Sequence, residues 1–299
     1  MTVSQIEVGA EIEELTQRQP WPLLLLGMIR RKPLGAAGAF IVVFFIVIAA
    51  LANVIAPYDP TANAFDRMHM APGAEHWFGT DQFGRDLMSR LIYGARTALF
   101  VGFVAAFVGA TAGLVLGVAS AYFGGLFDLI LQRIMDVFMA FPLIIMALAV
   151  VAILGSGIQN VIIAITIPFI PHCARVVRSS ALSIREIPYV DAARACGFGH
   201  SRIILRHMVP NVMAPYLIMI TTFVGHAILL EASLSYLGLG VQEPTPAWGL
   251  MLQGGAEEYA ESAPWLAIWP GVAISLAVFG FNMFGDAVRD VLDPKLRTE

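Results

Sequence analysis

Charged residues are scarce in this 299-residue chain. They make up 13% of it, whereas 58% of its residues are hydrophobic and its mean hydropathy is +0.75. A soluble domain carries about 25% charged residues. The length would allow a sizeable soluble core, but the apolar residues come in long blocks and not at amphipathic spacing. The composition therefore predicts a membrane protein.

Cysteine is nearly absent, and no metal-binding pattern occurs. Cys173 and Cys196 both fall in a segment that we place in the cytosol, where thiols stay reduced, so we expect two free thiols. His172 stands beside Cys173, but no second ligand pair follows at zinc spacing. We interpret the remaining histidines as surface or helix-end residues and expect no metal site.

Motifs of nucleotide binding and hydrolysis are also missing. No GxxxxGK[ST] phosphate loop occurs, and the glycines of GTDQFGRD lack the required lysine. Neither an HExxH helix nor a GxSxG elbow is present, so a membrane peptidase or lipase finds no support. The first 17 residues carry four glutamates and no positive region, so we expect no removable signal peptide. We therefore expect no catalytic residues and no cofactor in this chain.

The chain does contain six long apolar stretches. A helix needs about 20 mostly apolar residues to cross a membrane. The fourth stretch is the weakest because it is short and contains Pro168 and Pro171, although neighbouring helices allow prolines in membrane helices. The predicted spans are 34–56, 98–121, 129–153, 157–176, 209–232 and 265–287.

Basic residues are distributed unevenly around these spans. Thirteen of the 18 lie before span one, between spans four and five, or after span six, and cytoplasmic flanks are enriched in lysine and arginine. The predicted outer segment 233–264 has none, whereas the outer segment 57–97 has four arginines. Both termini are therefore predicted to be cytoplasmic. The chain then divides into an N-terminal tail with an interfacial helix, 1–33, a six-span domain, 34–288, and a C-terminal tail, 289–299.

The cytoplasmic loop 177–208 is too long for a simple turn. Asp191, Ala192 and Ala193 open a predicted helix, in which the acid suits the helix dipole and the small residues permit close docking on another surface. Gly197 permits a left-handed cap and a sharp turn. The pattern predicts a helix, a turn and a second helix across the membrane face; the alternative is a loop that is basic only because it is cytoplasmic.

Polar residues inside the predicted spans are functional hypotheses. Arg133 and Asp136 are three residues apart on span three and can pair with each other, either as a structural ion pair or as a substrate contact. Glu231, near the outer end of span five, and Asn282, inside span six, are candidates for lining a pathway.

Several stretches resemble, in the same order, motifs of the DppC/OppC-type permease subunits of ABC importers for dipeptides, oligopeptides and nickel. They are GTDQFGRDLMSRLIYGAR (79–96), YFGGLFDLILQRIMDVFMAFP (122–142), EASLSYLGLGVQEPTPAWGLML (231–252) and FNMFGDAVRDVLDPKLR (281–297). DAARACGFGHSRIILRHMVPN (191–211) resembles the family's EAA loop. The departures are Asp191 for the usual Glu, Cys196 and Val209 at positions where Leu is common, and Glu243 where Pro is frequent.

The resemblance implies an all-α polytopic membrane protein with the six-span, type I ABC-importer (MetI-like) permease fold and a cytoplasmic coupling helix. It also implies that one set of residues couples the chain to an ATPase: Tyr189, Asp191, Ala192, Ala193, Gly197, Arg206 and Pro210.

The outer arginines fit the same resemblance. The family's outer segment packs near the docking site of a binding protein, and a purely structural helix is the alternative. We expect Arg85 to pair with Asp81 or Asp86, and Arg90 with Asp86. Arg96 completes this segment.

The implied assembly contains a homologous B-type permease, two ATPases that hold ATP and Mg, an extracytoplasmic solute-binding protein and membrane lipid, with no nucleic acid. It would lie in the bacterial inner membrane. The rival hypothesis is an ion-coupled secondary carrier, which would have intramembrane carboxylates near the midplane and pseudo-symmetric broken helices; a membrane enzyme is weaker still. The solute stays open among peptides, opines, glutathione, nickel chelates and oligosaccharides.

Overall fold

Apolar helices dominate the part of the chain that the computed structural model describes, residues 33–257, 259 and 261–292. In chain order the helices are α1 Pro33–Ala50, α2 Ala52–Ile55, α3 Leu87–Phe123, α4 Gly125–Met139, α5 Leu143–Leu154, α6 Ile158–Arg185, α7 Pro188–Ala195, α8 His200–Tyr236, α9 Trp248–Glu257 and α10 Trp265–Leu292. Five of them, α1, α3, α6, α8 and α10, are long and apolar enough to cross a membrane. The predicted interfacial helix 21–32 lies outside the described residues.

The third predicted span, 129–153, is not one continuous helix. It consists of α4 and α5, which are bent by 90° relative to each other. Pro142 stands directly before α5, and the residue ahead of a proline disfavours helical backbone, so Phe141 interrupts the run. The apolar character continues through the break, which is why the hydropathy pattern alone did not reveal it.

Two spans extend well beyond the predicted bounds. Helix α3 begins 11 residues earlier than predicted, within the outer segment. Helix α8 begins inside the predicted loop and passes through a π-helical turn, Ile204–Met208, and a 3₁₀ turn, Val209–Val212. Pro210 therefore does not end this helix, because it occupies the first turn of the 3₁₀ segment, where a missing N–H is tolerated.

The core of the described residues lies where α3 packs on α6. Gly109, Gly113 and Gly117 recur every fourth residue on α3, and a Cβ added at Gly113 would stand 2.6 Å from the Cβ of Cys173. Small residues at this spacing let membrane helices approach closely. Cys173 is consequently buried inside α6 and not in a cytoplasmic loop as we had expected.

Helix α1 also packs closely against α10 because both helices carry a glycine at the contact. A Cβ at Gly38 would stand 2.6 Å from the backbone nitrogen of Phe284, and one at Gly280 would stand 2.4 Å from Ile41 Cγ2. The opposite face of α1 is exposed and wholly apolar around Phe40 and Val43, which suits contact with lipid.

Candidate functional site

Helix α7 is the short cytoplasmic helix that the sequence predicted. Pro188 occupies its first turn, where the fixed backbone angle of proline favours helix initiation. Asp191 also lies in this turn, its side chain is 66% exposed, and it accepts a hydrogen bond from Arg194 at 2.9 Å. Of the two alanines predicted to form a docking face, Ala192 is exposed but Ala193 is buried. The free surface of α7 is therefore centred on Asp191 and Ala192.

The turn after α7 is closed by Gly197. Its φ is +75°, in the left-handed region, and its N–H donates to Arg194 O at 2.9 Å. The next residue, Phe198, donates its N–H to Ala193 O at 3.1 Å. These two bonds form a Schellman cap, which satisfies the last carbonyls of the helix and reverses the chain toward α8.

This cap provides a first testable prediction. A Cβ at Gly197 would meet nothing within 4 Å, so Gly197→Ala should cost only the left-handed backbone penalty, about 1–2 kcal/mol. We expect faster proteolysis of the 188–199 segment. Gly199→Ala is the matched control because this glycine has φ −65° and equally open surroundings. Equal behaviour of the two variants would contradict the cap.

Side-chain hydrogen bonds fasten α7 to the beginning of α8. Tyr189 Oη donates to His207 O at 3.1 Å and accepts from Asn211 Nδ2 at 3.0 Å, and the same Nδ2 also donates to His207 O. Arg206 and Pro210, two of the predicted coupling residues, are exposed on this same stretch of α8. All of the predicted coupling residues except the buried Ala193 thus lie on one connected surface, which we call the α7 surface: residues 188–211.

The other side of the α7 surface is joined to α3 and α6. Tyr122 Oη, at the end of α3, lies 2.7 Å from His200 Nδ1, and the Arg194 guanidinium stands over the Tyr122 ring at 5.6 Å. Arg185, at the end of α6, donates to Ala121 O at 2.9 Å. These contacts join the ends of α3, α6 and α8 beside α7.

The charged residues of α4 form the predicted pair and, in addition, two links to α6. Arg133 Nη1 lies 3.5 Å from Asp136 Oδ2, but Asp136 makes a shorter contact with Arg175 on α6. A second link joins Arg178 Nε of α6 to Asp128 Oδ1 at 2.6 Å. These links hold α4 against α6. The sequence offered only the local spacing of Arg133 and Asp136, so the longer-range partners were missed.

The two candidate pathway residues differ in exposure. Glu231 is 1% exposed, and its Oε1 accepts a hydrogen bond from Ser235 Oγ at 2.7 Å. It is therefore packed inside the chain and does not reach its surface. Asn282 is exposed on α10, with its Oδ1 3.0 Å from the point where a Cβ on Gly225 of α8 would stand.

A buried charge cluster connects the two outer segments. Arg85 Nε donates to Asp81 Oδ2 at 2.7 Å, while its Nη1 and Nη2 bind the two carboxylate oxygens of Glu243 at 2.6 and 3.1 Å. Arg90 Nη2 lies 3.3 Å from Glu243, and its Nη1 donates to Pro60 O at 2.9 Å. The arginine side chains are only 4% and 1% exposed. We call Asp81, Arg85, Arg90 and Glu243 the outer charge cluster.

Of the two expected pairings of these arginines, one is present and the other is not. Arg85 does pair with Asp81, but Arg90 pairs with Glu243 and Asp81 and not with the Asp86 side chain. Asp86 instead caps α3, where its Oδ2 accepts from Ser89 N at 2.8 Å, and its Oδ1 faces His76 Nδ1 at 2.9 Å. Glu243, which the sequence marked only as a departure from the family pattern, contacts both arginines, as Asp81 does.

The cluster also shifts the protonation of Glu243. Burial by itself would raise the pKa of this carboxyl, but hydrogen bonds and charges from Arg85 and Arg90 outweigh it and lower the pKa below the usual 4.5. A lowered pKa in the folded state contributes stability above the unfolded value and loses it as the pH falls through the folded value. The link between the outer segments is therefore intact at neutral pH and weakens only in acid.

Arg96 has a separate, structural position. Its Nε donates to Ala49 O at 3.0 Å and its Nη1 donates to Asn53 Oδ1 at 3.1 Å, while Tyr93 Oη donates to the same oxygen at 3.0 Å. These bonds tie the outer end of α1 to α3.

Comparison with known proteins places this architecture in a family. The family described as "Binding-protein-dependent transport system inner membrane component" matches residues 109–298, and the "N-terminal TM domain of oligopeptide transport permease C" matches residues 25–72. The structure of the MetNI methionine ABC transporter matches with a TM-score of 0.56 and 19% identity, covering 69% of this chain and 98% of that one. At this identity the structural match concerns the fold alone.

Relatives at higher identity extend over nearly the whole chain. The dipeptide transport system permease protein DppC of Alkalihalophilus pseudofirmus is 43% identical over 96% of this chain and 93% of its own length. The glutathione transport system permease protein GsiD of Escherichia coli is also 43% identical, over 90% of this chain and 88% of its own length. The ion-coupled carrier has no support in these matches. The chain belongs to the family of inner membrane components of binding-protein-dependent transport systems and is a multi-pass permease subunit of an ABC importer in the bacterial cytoplasmic membrane.

Proposed function

We propose that this chain forms half of the membrane pathway of an importer for small peptides and works with four kinds of partner. These are a homologous B-type permease, two ATPase subunits that bind ATP and Mg, an extracytoplasmic binding protein and the surrounding lipid. The peptide class is supported by the names of two 43%-identical relatives, a dipeptide permease and a glutathione permease. ATP hydrolysis belongs to the partner ATPases, because this chain has no phosphate loop.

The observation that carries the proposal is the connected α7 surface. Helix α7 presents Asp191 and Ala192 outward, is hydrogen-bonded to α8 through Tyr189, and contacts α3 through Arg194, whose guanidinium stands over the Tyr122 ring. We infer that an ATPase docks on this surface, so that closure of the two ATPases draws α7 inward and moves the attached membrane helices. Packed interfaces respond to such displacements by switching between discrete arrangements. The pathway would thus change from facing inward to facing outward.

The outer face would meet the binding protein. The outer charge cluster holds segment 57–97 against the loop that carries Glu243, so the two outer segments form one surface rather than two independent loops. Such a rigid surface suits repeated docking of a loaded binding protein, because little ordering of the receptor is required at each encounter.

Reconstitution tests the proposed function. We expect the chain alone in liposomes to neither hydrolyse ATP nor accumulate peptide under an imposed proton or sodium gradient. Adding the B-type permease, both ATPases and a peptide-loaded binding protein should produce ATP-dependent uptake. A matched preparation with ATPases that bind but do not hydrolyse ATP is the control. Gradient-driven accumulation by the chain alone would overturn the proposal in favour of the secondary carrier.

A further inference from the structure

A polar stripe runs along the exposed face of α8, within the membrane-spanning part of the chain. Its members are Thr222, His226, Ser233 and Tyr236, which the spacing of four, seven and three residues places on one side of the helix. Leu229, which is 48% exposed, lies between His226 and Ser233 on the same side. His226 is exposed, and the other three are partly so. We call these residues the α8 polar stripe.

His226 lies well inside the regular part of α8. It is 13 residues after the first residue of the regular helix, Met213, and 10 before the last, Tyr236, which at 1.5 Å per residue is about 20 and 15 Å. An imidazole with a free ring nitrogen is costly to expose to hydrocarbon, and ionisable side chains at this depth face a bundle interior or a water-filled cavity. The stripe is therefore unsuited to lipid.

The neighbouring exposed face of α10 provides the contrast. Val272, Leu276 and Phe279 are exposed there, with Ser275 as the one exposed polar residue among them, and a mainly apolar surface of this kind suits lipid. On α10, Phe279 precedes Asn282 by about one helical turn. Asn282 lies beside Gly225 of α8, the residue directly before His226. Phe279 and His226 are thus at similar depth on differently composed surfaces.

An open cleft continues the stripe toward the outer face. It has a volume of about 360 Å³ and is lined by Leu229, Ser233 and Tyr236 of α8, together with residues of α9 and α10 such as Leu252 and Ile274. The cleft adjoins the polar stripe at Ser233 and Tyr236, and the rest of its lining is apolar.

The hydrogen bonding of His226 defines what it can recognise. His226 Nδ1 lies 2.9 Å from Thr222 O, and a carbonyl oxygen can only accept, so Nδ1 carries the proton. In the neutral ring Nε2 is then an acceptor. Thr222 and Ser233 direct their hydroxyl protons to backbone oxygens of their own helix, at 2.9 and 2.8 Å, which leaves their oxygens as acceptors too. The stripe thus presents acceptors to the pathway, and acceptors match N–H donors.

We propose that the α8 polar stripe lines the aqueous pathway and that His226 Nε2 accepts a hydrogen bond from an N–H of the translocated solute, such as the amino terminus or an amide of a small peptide. This inference rests on the proposed function and adds to it the pathway-facing surface of this subunit and the type of group recognised there.

Accessibility to a water-soluble, membrane-impermeant thiol reagent tests the pathway. In the full transporter, with Cys173→Ala and Cys196→Ser, we compare His226→Cys with the matched variant Phe279→Cys. We expect His226→Cys to react at least tenfold faster, and its rate to change when the ATPases are trapped in the ATP-bound state. Equal rates, or reaction of His226→Cys only after detergent treatment, would overturn the inference by placing the stripe against lipid or in a dry interface.

Uptake by variants tests the recognition. Loss of one hydrogen bond worth about 1.4 kcal/mol corresponds to an about tenfold loss of affinity for the solute. We expect His226→Leu to lower peptide uptake about tenfold and His226→Gln, which retains an acceptor, to lower it less than threefold. Equal losses in both variants would overturn the acceptor role. Should His226→Leu fail to assemble, the labelling comparison still decides the pathway. Absence of ATP-driven uptake by the cysteine-free parent would instead count against the proposed function.

Discussion

Asp191→Lys is expected to abolish ATP-driven uptake while the chain still inserts in the membrane. The Asp191 side chain is 66% exposed and its partner is Arg194 on the same helix, so the change costs the fold little. It places a positive charge in the first turn of α7, where the helix dipole favours a negative one. It also reverses the charge at the centre of the surface that we propose for ATPase docking. Like charges brought together in an interface cost several kcal/mol, which corresponds to a 100-fold or greater loss of affinity.

Three measurements separate coupling from folding. Uptake of labelled peptide reports transport, immunoblotting of membranes reports insertion, and binding-protein stimulation of ATP hydrolysis reports coupling. Glu186→Lys is the matched control because that carboxylate is 80% exposed and cytoplasmic but lies outside α7. We expect the control to keep most of its uptake. Normal uptake by Asp191→Lys, or the same loss in both variants, would argue against α7 as the coupling helix.

Asp81→Ala is expected to give the largest loss of stability. The Asp81 side chain is 6% exposed, binds Arg85 at 2.7 Å, and lies 3.4 Å from Arg90. Its Oδ1 also accepts backbone N–H bonds from Phe83 and Arg85, both at 2.9 Å. Removing one partner of a buried ion pair leaves an uncompensated buried charge, which costs about 3–5 kcal/mol. The two arginines would then share only Glu243, whose side chain is 38% exposed.

Thermal unfolding of the purified assembly in detergent, and limited proteolysis of its outer face, measure this effect. Asp66→Ala is the matched control because it removes a different carboxylate from the same outer segment. The Asp66 side chain is 78% exposed, and its ion pair with Arg67 is long, at 3.6 Å. Exposed pairs of this kind contribute about 0–1 kcal/mol. Glu243→Gln should fall between the two variants. An Asp81→Ala protein as stable as Asp66→Ala would show that the outer charge cluster does not hold the segments together.

The features that the sequence alone determined are local along the chain. The length of each apolar run determines whether it can cross a membrane, and five of the predicted spans correspond to long apolar helices. The left-handed turn at Gly197 was also predictable, because it depends on the freedom of one residue without a Cβ. The order of several motifs along the chain is by itself typical of the family.

Tertiary structure decided the features that depend on partners distant in sequence. Glu243 lies more than 150 residues from the two arginines that it binds, and no spacing rule connects them. Ala192 and Ala193 are equivalent in sequence, yet packing buries Ala193 and leaves Ala192 exposed. The sequence predicts His226 only as a surface or helix-end residue, and its place on the exposed face of α8, in line with Thr222 and Ser233, makes it a pathway candidate. Hydropathy and spacing indicate which face of each segment can be buried. Which other segment covers that face is decided only when the helices pack together.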